Sequence, residues 1–207
     1  GGFVFGVAFA FLVGRLGIEE RFVDPAVERS ETVHDASMVE VCFALERRGR
    51  TEEALRRLEA VLADDPANAD AAAALWSTAV RAEAPLRAVP LVLPAVEAAA
   101  RAGDSGLPAQ VWAELLRIAP ETDADLRTAT RVAELLSQEG MDGDVELTLG
   151  WLAGRVDSAT PDGLLVRLAR LADRLAVPAP FAALALEKAD LSPQLRTELQ
   201  SLSGFSL

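Results

Sequence analysis

The chain has 207 residues, 51% hydrophobic and 25% charged, which excludes a disordered tail and allows one or two domains with a buried core. Its 20 Lys+Arg against 32 Asp+Glu give a net charge of −12, which argues against a nucleic-acid partner, because phosphates need a basic surface. One cysteine, Cys42, excludes an internal disulfide or a multi-cysteine metal site, and one histidine, His34, excludes a paired-histidine motif, so no metal or cofactor is expected.

The first 14 residues, from Gly1 to Gly14, carry no charged or polar side chain. As a helix they would span roughly 21 Å at ~1.5 Å per residue, whereas a bilayer core needs about 30 Å. With Phe, Val, Leu and Ala on every face there is no polar stripe for water. Gly2, Gly6, Ala10 and Gly14 recur every four residues, a small-residue ladder that lets membrane helices approach closely. Arg15 and Arg21 follow, placed to reach a cytoplasmic interface. Residues 1–18 are therefore expected to be the C-terminal part of a transmembrane helix, in contact with lipid and neighbouring membrane helices. A soluble, buried helix is the competing reading. Residues 19–34, with Glu19, Glu20, Glu28 and Glu31, read as an interfacial linker.

From residue 35 to 207 the expectation is all-α. Ala54, Leu55, Leu58, Val61 and Leu62 share one helical face, with Thr51 as N-cap and Glu52 and Glu53 in the first turn. Thr122 with Asp125 resembles a capping box, and Thr160-Pro161 and Ser192-Pro193 read as N-cap and first-turn pairs. Gly49, Gly103 and Gly140 stand where C-terminal caps belong. Pro90 and Pro94 predict a kink or break in a helix over 86–102. No sustained period-2 alternation predicts a strand.

Residues 35–68 resemble one tetratricopeptide repeat of about 34 positions. Leu45, Gly49, Ala54, Leu58 and Pro66 fall at its large, turn-glycine, small, packing and closing-proline positions, while Cys42 replaces a usual glycine. In the next segment Leu75 and Ala88 keep register, but Trp76 and Ala100 depart from it. Fold class and organisation are thus a partial transmembrane helix followed by a tetratricopeptide-like stack of helical hairpins. Each hairpin would bury its apolar face on its neighbours and offer a surface to a protein or peptide partner.

Several residues could suggest chemistry. Gly103-Asp104-Ser105-Gly106 spells a serine-nucleophile phrase, but lacks the G-x-S-x-G spacing and a strand before it. It reads as a cap and loop. His34 beside Asp35 reads as a linker residue, and Cys42 as buried and unreactive. Asp142, Asp144 and Glu146 read as favourable acids at a helix start. Trp76, Trp112 and Trp151 read as fillers between helices.

The opening Gly1-Gly2-Phe3-Val4-Phe5-Gly6 resembles the last transmembrane helix of the rhomboid intramembrane serine proteases. In that family a histidine and one further residue precede the Gly-Gly pair, and Gly2 and Gly6 match its close-packing positions. The resemblance implies a parent protein with a serine–histidine dyad, both members upstream of Gly1, that cleaves transmembrane substrates. The histidine would act as general base and acid without the third member of a triad. This segment would hold no catalytic residue and would be inactive alone. It would supply the support of the histidine-bearing helix and a cytoplasmic helical tail, at a bacterial inner membrane. The alternative is a non-enzymatic, membrane-anchored adaptor or assembly protein.

Overall fold

The computed structural model describes residues 35–188 and 191–203, and every regular element among them is a helix. The expected membrane helix, with Gly2, Gly6, Ala10 and Gly14, lies outside the described residues, as do the linker and His34. Among the described residues no helix is long and apolar enough to cross a membrane.

In chain order the helices are α1 (Asp35–Arg47), α2 (Thr51–Asp64), α3 (Ala69–Arg81), α4 (Pro85–Ala102), α5 (Gly106–Ile118), α6 (Leu126–Gln138), α7 (Asp142–Ala153), α8 (Asp162–Arg174), α9 (Phe181–Leu186) and α10 (Pro193–Ser203). The chain divides into two compact units, residues 1–57 and 58–207, with the boundary inside α2.

In the first unit α1 ends on Gly49, whose φ of +75° favours a residue without a Cβ. The Arg50 amide then donates back to the Leu45 carbonyl at 2.9 Å, closing the last turn. Leu45, Ala54 and Cys42 are buried. The Glu53 carboxylate takes Arg50 on one oxygen and Arg57 on the other.

In the second unit each helix from α3 to α9 packs on the next, and α3, α4, α5, α6 and α8 also pack on the next but one. Helices α3, α5 and α7 form one row, and α4, α6, α8 and α10 form another. Apolar side chains at helical spacing fill the space between, among them Leu58, Leu75, Val92, Trp112, Leu136, Leu149, Leu165 and Phe181. Leu58 is buried, while Pro66 sits exposed in the turn between α2 and α3.

Left-handed residues punctuate the second unit. Gly103, Gly140 and Ala176 have φ of 80°, 73° and 52° and follow α4, α6 and α8. They lie 37 and then 36 residues apart. Trp76 and Trp112 are also 36 residues apart. Glu83, with φ of 56° after α3, lies 20 residues before Gly103 and stands outside that spacing.

Four local expectations change. Thr51 is the first residue of α2 and not its cap, because the Arg50 carbonyl already accepts from the Ala54 amide at 3.1 Å. Asp125 itself caps α6, its Oδ2 accepting from the Thr128 amide at 3.0 Å, while the Thr122 hydroxyl donates to the Ala119 carbonyl. Asp125 lies directly before the helix, so the shorter path wins over a box from Thr122. The helix after Thr160 starts at Asp162, and Thr160 instead bonds Asp157 in a turn. Helix α4 is one continuous run of 18 residues through Pro90 and Pro94. Both prolines are exposed, while Ala88, Val92, Ala95 and Val96 on the opposite face are buried and hold the run in place.

Candidate functional site

The two rows of the second unit are joined by different chemistry. In the α3–α5–α7 row the joints are indoles. Trp76 Nε1 donates to Glu114 at 2.8 Å, Trp112 Nε1 to Thr148 Oγ1 at 3.0 Å, and Trp151 Nε1 to the Pro120 carbonyl at 2.9 Å. Trp112 and Trp151 meet edge to face, centroids 6.3 Å apart, and the Arg155 guanidinium lies 4.0 Å over Trp151. All three indoles are buried, so they fasten successive helices and leave no ring free for a partner.

The other row is fastened by arginine–glutamate clasps. Arg87 on α4 grips Glu59 on α2, Arg167 on α8 grips Glu134 on α6, and Arg170 on α8 grips Glu198 on α10. Each is a fork-to-fork pair using Nε and Nη2, the geometry in which arginine binds carboxylates best. The hydrogen bond to Glu134 raises the Arg167 pKa, and that to Glu198 raises Arg170. Reciprocally, the bond from Arg170 holds Glu198 below the usual carboxylate range.

Between α6 and α8 this row opens a solvent-facing groove of about 390 Å³, lined by Glu134, Gln138, Arg167, Arg170, Leu171 and Arg174. Arg167, Arg170 and Arg174 fall at i, i+3 and i+7, one stripe of α8 about 10 Å long. Arg131 and Glu134, three residues apart on α6, form an ion pair at 3.5 Å. Arg174 donates to the hydroxyl of Ser137. Three guanidinium groups, those of Arg131, Arg167 and Arg170, thus share two carboxylates, Glu134 and Glu198, and Arg174 stands beside them on a molecule that is acidic overall. Their side chains are partly exposed: 40% for Arg131, 44% for Arg167 and 56% for Arg170.

The groups singled out for possible chemistry are dispersed. Ser105 lies between α4 and α5, its hydroxyl donating to Glu139 at 2.8 Å, and Asp104 accepts from the Gly106 amide. Cys42 is buried, and burial pushes its thiol up to about 11. A thiol so protonated is a poor nucleophile near neutrality. Asp142 and Asp144 stand in the first turn of α7, Asp144 paired with Arg117 at 3.2 Å. Among the described residues no cluster of His, Cys, Asp and Glu could hold a metal ion. A cavity of about 20 Å³ beside Ala169, Ala172 and Ala182 has room for one water molecule and no more.

The α8 stripe escaped the sequence reading because its partners lie 28 to 37 residues away, on α6 and α10. The available signal was the i, i+3, i+7 spacing of three arginines in an acidic chain. No protein-family model, curated protein or solved structure matches the chain.

Proposed function

We propose that this chain is the C-terminal part of a rhomboid-like intramembrane serine protease. In this reading residues 1–18 support the last membrane helix, and residues 35–207 form a cytoplasmic, tetratricopeptide-like domain that binds a protein partner. The support is the junction of two unlike parts. The Gly-Gly-Phe-x-x-Gly phrase sits in an unbroken apolar run, and a stack of helical hairpins follows. Packing of each helix on the next and of most on the next but one, with left-handed turns after α4, α6 and α8 at 36 to 37 residues, favours the repeat architecture.

Catalysis would belong to the parent protein. A serine on an earlier membrane helix would attack the substrate carbonyl, and a histidine two positions before Gly1 would take and return the proton. The role of Gly2 and Gly6 would be close packing that holds that histidine in register.

The test is the sequence encoded upstream of Gly1, followed by a cleavage assay of the intact protein in lipid vesicles with a transmembrane substrate. A histidine two positions before Gly1, a G-x-S-G in an earlier apolar helix, and cleavage lost when either residue becomes Ala are the expected results. Residues 1–207 alone should cleave nothing. An upstream segment lacking both residues would overturn the protease reading and leave a membrane-anchored adaptor.

A further inference from the structure

We propose that the groove between α6 and α8 is a docking site for an acidic peptide segment, one that presents two or three carboxylates along about 10 Å. This rests on reading residues 35–207 as an interaction domain, and it names the chemistry of the partner.

Charge complementarity carries the inference. Arg167, Arg170 and Arg174 line the groove, Arg131 reaches its Glu134 from along α6, and Glu134 and Glu198 neutralise only two of the four. Arg174 is held by a neutral hydroxyl, and Arg131 only reaches a carboxylate already gripped by Arg167. Both therefore offer a guanidinium face with unspent charge. The clasps occupy Nε and Nη2 of Arg167 and Arg170 and hold both guanidinium groups in place, so a partner's carboxylates would meet Nη1 donors that lose little freedom on binding. Leu171, the apolar residue of the lining, gives a contact for the stem of a glutamate.

An acidic peptide is favoured over an anionic bilayer. A membrane surface senses the whole molecule, whose net charge of −12 is repelled by anionic headgroups. A peptide lying in the groove senses mainly the four guanidinium groups within a Debye length, about 8 Å at physiological salt.

The experiment uses the full chain in vesicles of neutral phosphatidylcholine and a fluorescent eight-residue glutamate-rich peptide, with binding read by anisotropy. Binding should weaken at least tenfold between 50 and 500 mM salt. It should weaken at least tenfold in Arg131→Glu/Arg174→Glu, with an unchanged helical circular dichroism spectrum. Arg117→Glu, on α5 in the other row, makes half that charge change and should alter affinity less than twofold, whereas Arg174→Glu alone, matched to it in charge, should still weaken binding severalfold. Equal binding of a neutral peptide, or no loss in the double variant, would overturn the proposal. Displacement of the peptide by phosphatidylglycerol vesicles would reassign the groove to lipid headgroups. Self-association that the double variant abolishes would reassign it to a second copy. A parent protein that cleaves its substrate while the groove binds no peptide would sink this inference alone. Peptide binding without a protease upstream would do the reverse.

Discussion

At the scale of single residues, the indole joints and the buried thiol have measurable consequences. Trp112→Phe removes the bond to Thr148 but leaves that hydroxyl donating to the Asp144 carbonyl, so no buried donor is orphaned. The expected cost is about 1–2 kcal/mol, one hydrogen bond and a little volume. It should appear as a lower urea midpoint with an unchanged slope. Cys42 makes the alkaline limb of stability readable. Its thiol rises from 9.0 to about 11, chiefly by burial, with Arg57 opposing and Glu53 assisting. Between these values the folded chain keeps a proton that the unfolded chain releases. Stability from this group is therefore complete below pH 9 and is lost as pH rises through 11. The chain has no Tyr, and Lys188 is its sole lysine, so few other groups titrate there. Urea midpoints at pH 8 and pH 10.5 should fall for the native chain and stay closer together for Cys42→Ala. Equal slopes in both chains would show that the thiol is solvated.

At the scale of elements, the turns after α4, α6 and α8 set the hairpin geometry. Gly140, at φ +73°, has open space where a Cβ would stand, so Gly140→Ala tests backbone strain alone. An L-residue in the left-handed region costs about 1–2 kcal/mol, and the gain in unfolded-state entropy offsets part of it. A net loss of about 1 kcal/mol is expected by thermal unfolding. Ala176 holds the equivalent position at φ 52° with a Cβ, so Ala176→Gly should be neutral or stabilising by a few tenths of a kcal/mol. These elements were legible because helix faces and turn glycines are local signals: Leu164, Leu168 and Leu171 mark the buried side of α8 without reference to any other helix. The pairing of helices across the rows was not legible, because the 34-residue match of Leu45, Gly49, Ala54, Leu58 and Pro66 says nothing of Trp76 and Trp112, whose partners lie 38 and 36 residues away. The groove was hidden for a related reason. Arg167 has meaning only beside Glu134, and 33 residues of intervening chain place it there. Of the kink or break that Pro90 and Pro94 predict, the break does not occur, since packing of the buried face carries the helix through both prolines.

At the scale of the whole second unit, helices touch only near neighbours in the chain, and stability should be correspondingly local. A stack of this kind behaves as a sum of unit stabilities and adjacent interfaces. Helix α10 ends the row, held by packing on α8 and α9 and by the Glu198 clasp. Leu199 is its fully buried anchor. Leu199→Ala removes apolar volume worth about 2–5 kcal/mol, and the loss should be confined to the helices that share that interface. Hydrogen exchange read by mass spectrometry should accelerate over α9 and α10, with a smaller change in α8 and none in α3 to α5. Uniform acceleration along residues 58–203 would instead mark a single cooperative core. The same variant connects stability to the groove. Fraying of α10 releases Glu198 from Arg170, leaving Arg170, like Arg174, without a carboxylate. If the groove takes an acidic peptide, Leu199→Ala should bind it at least as tightly as the native chain while being less stable. Affinity and stability would then move in opposite directions, as expected where Glu198 competes with the ligand for one arginine.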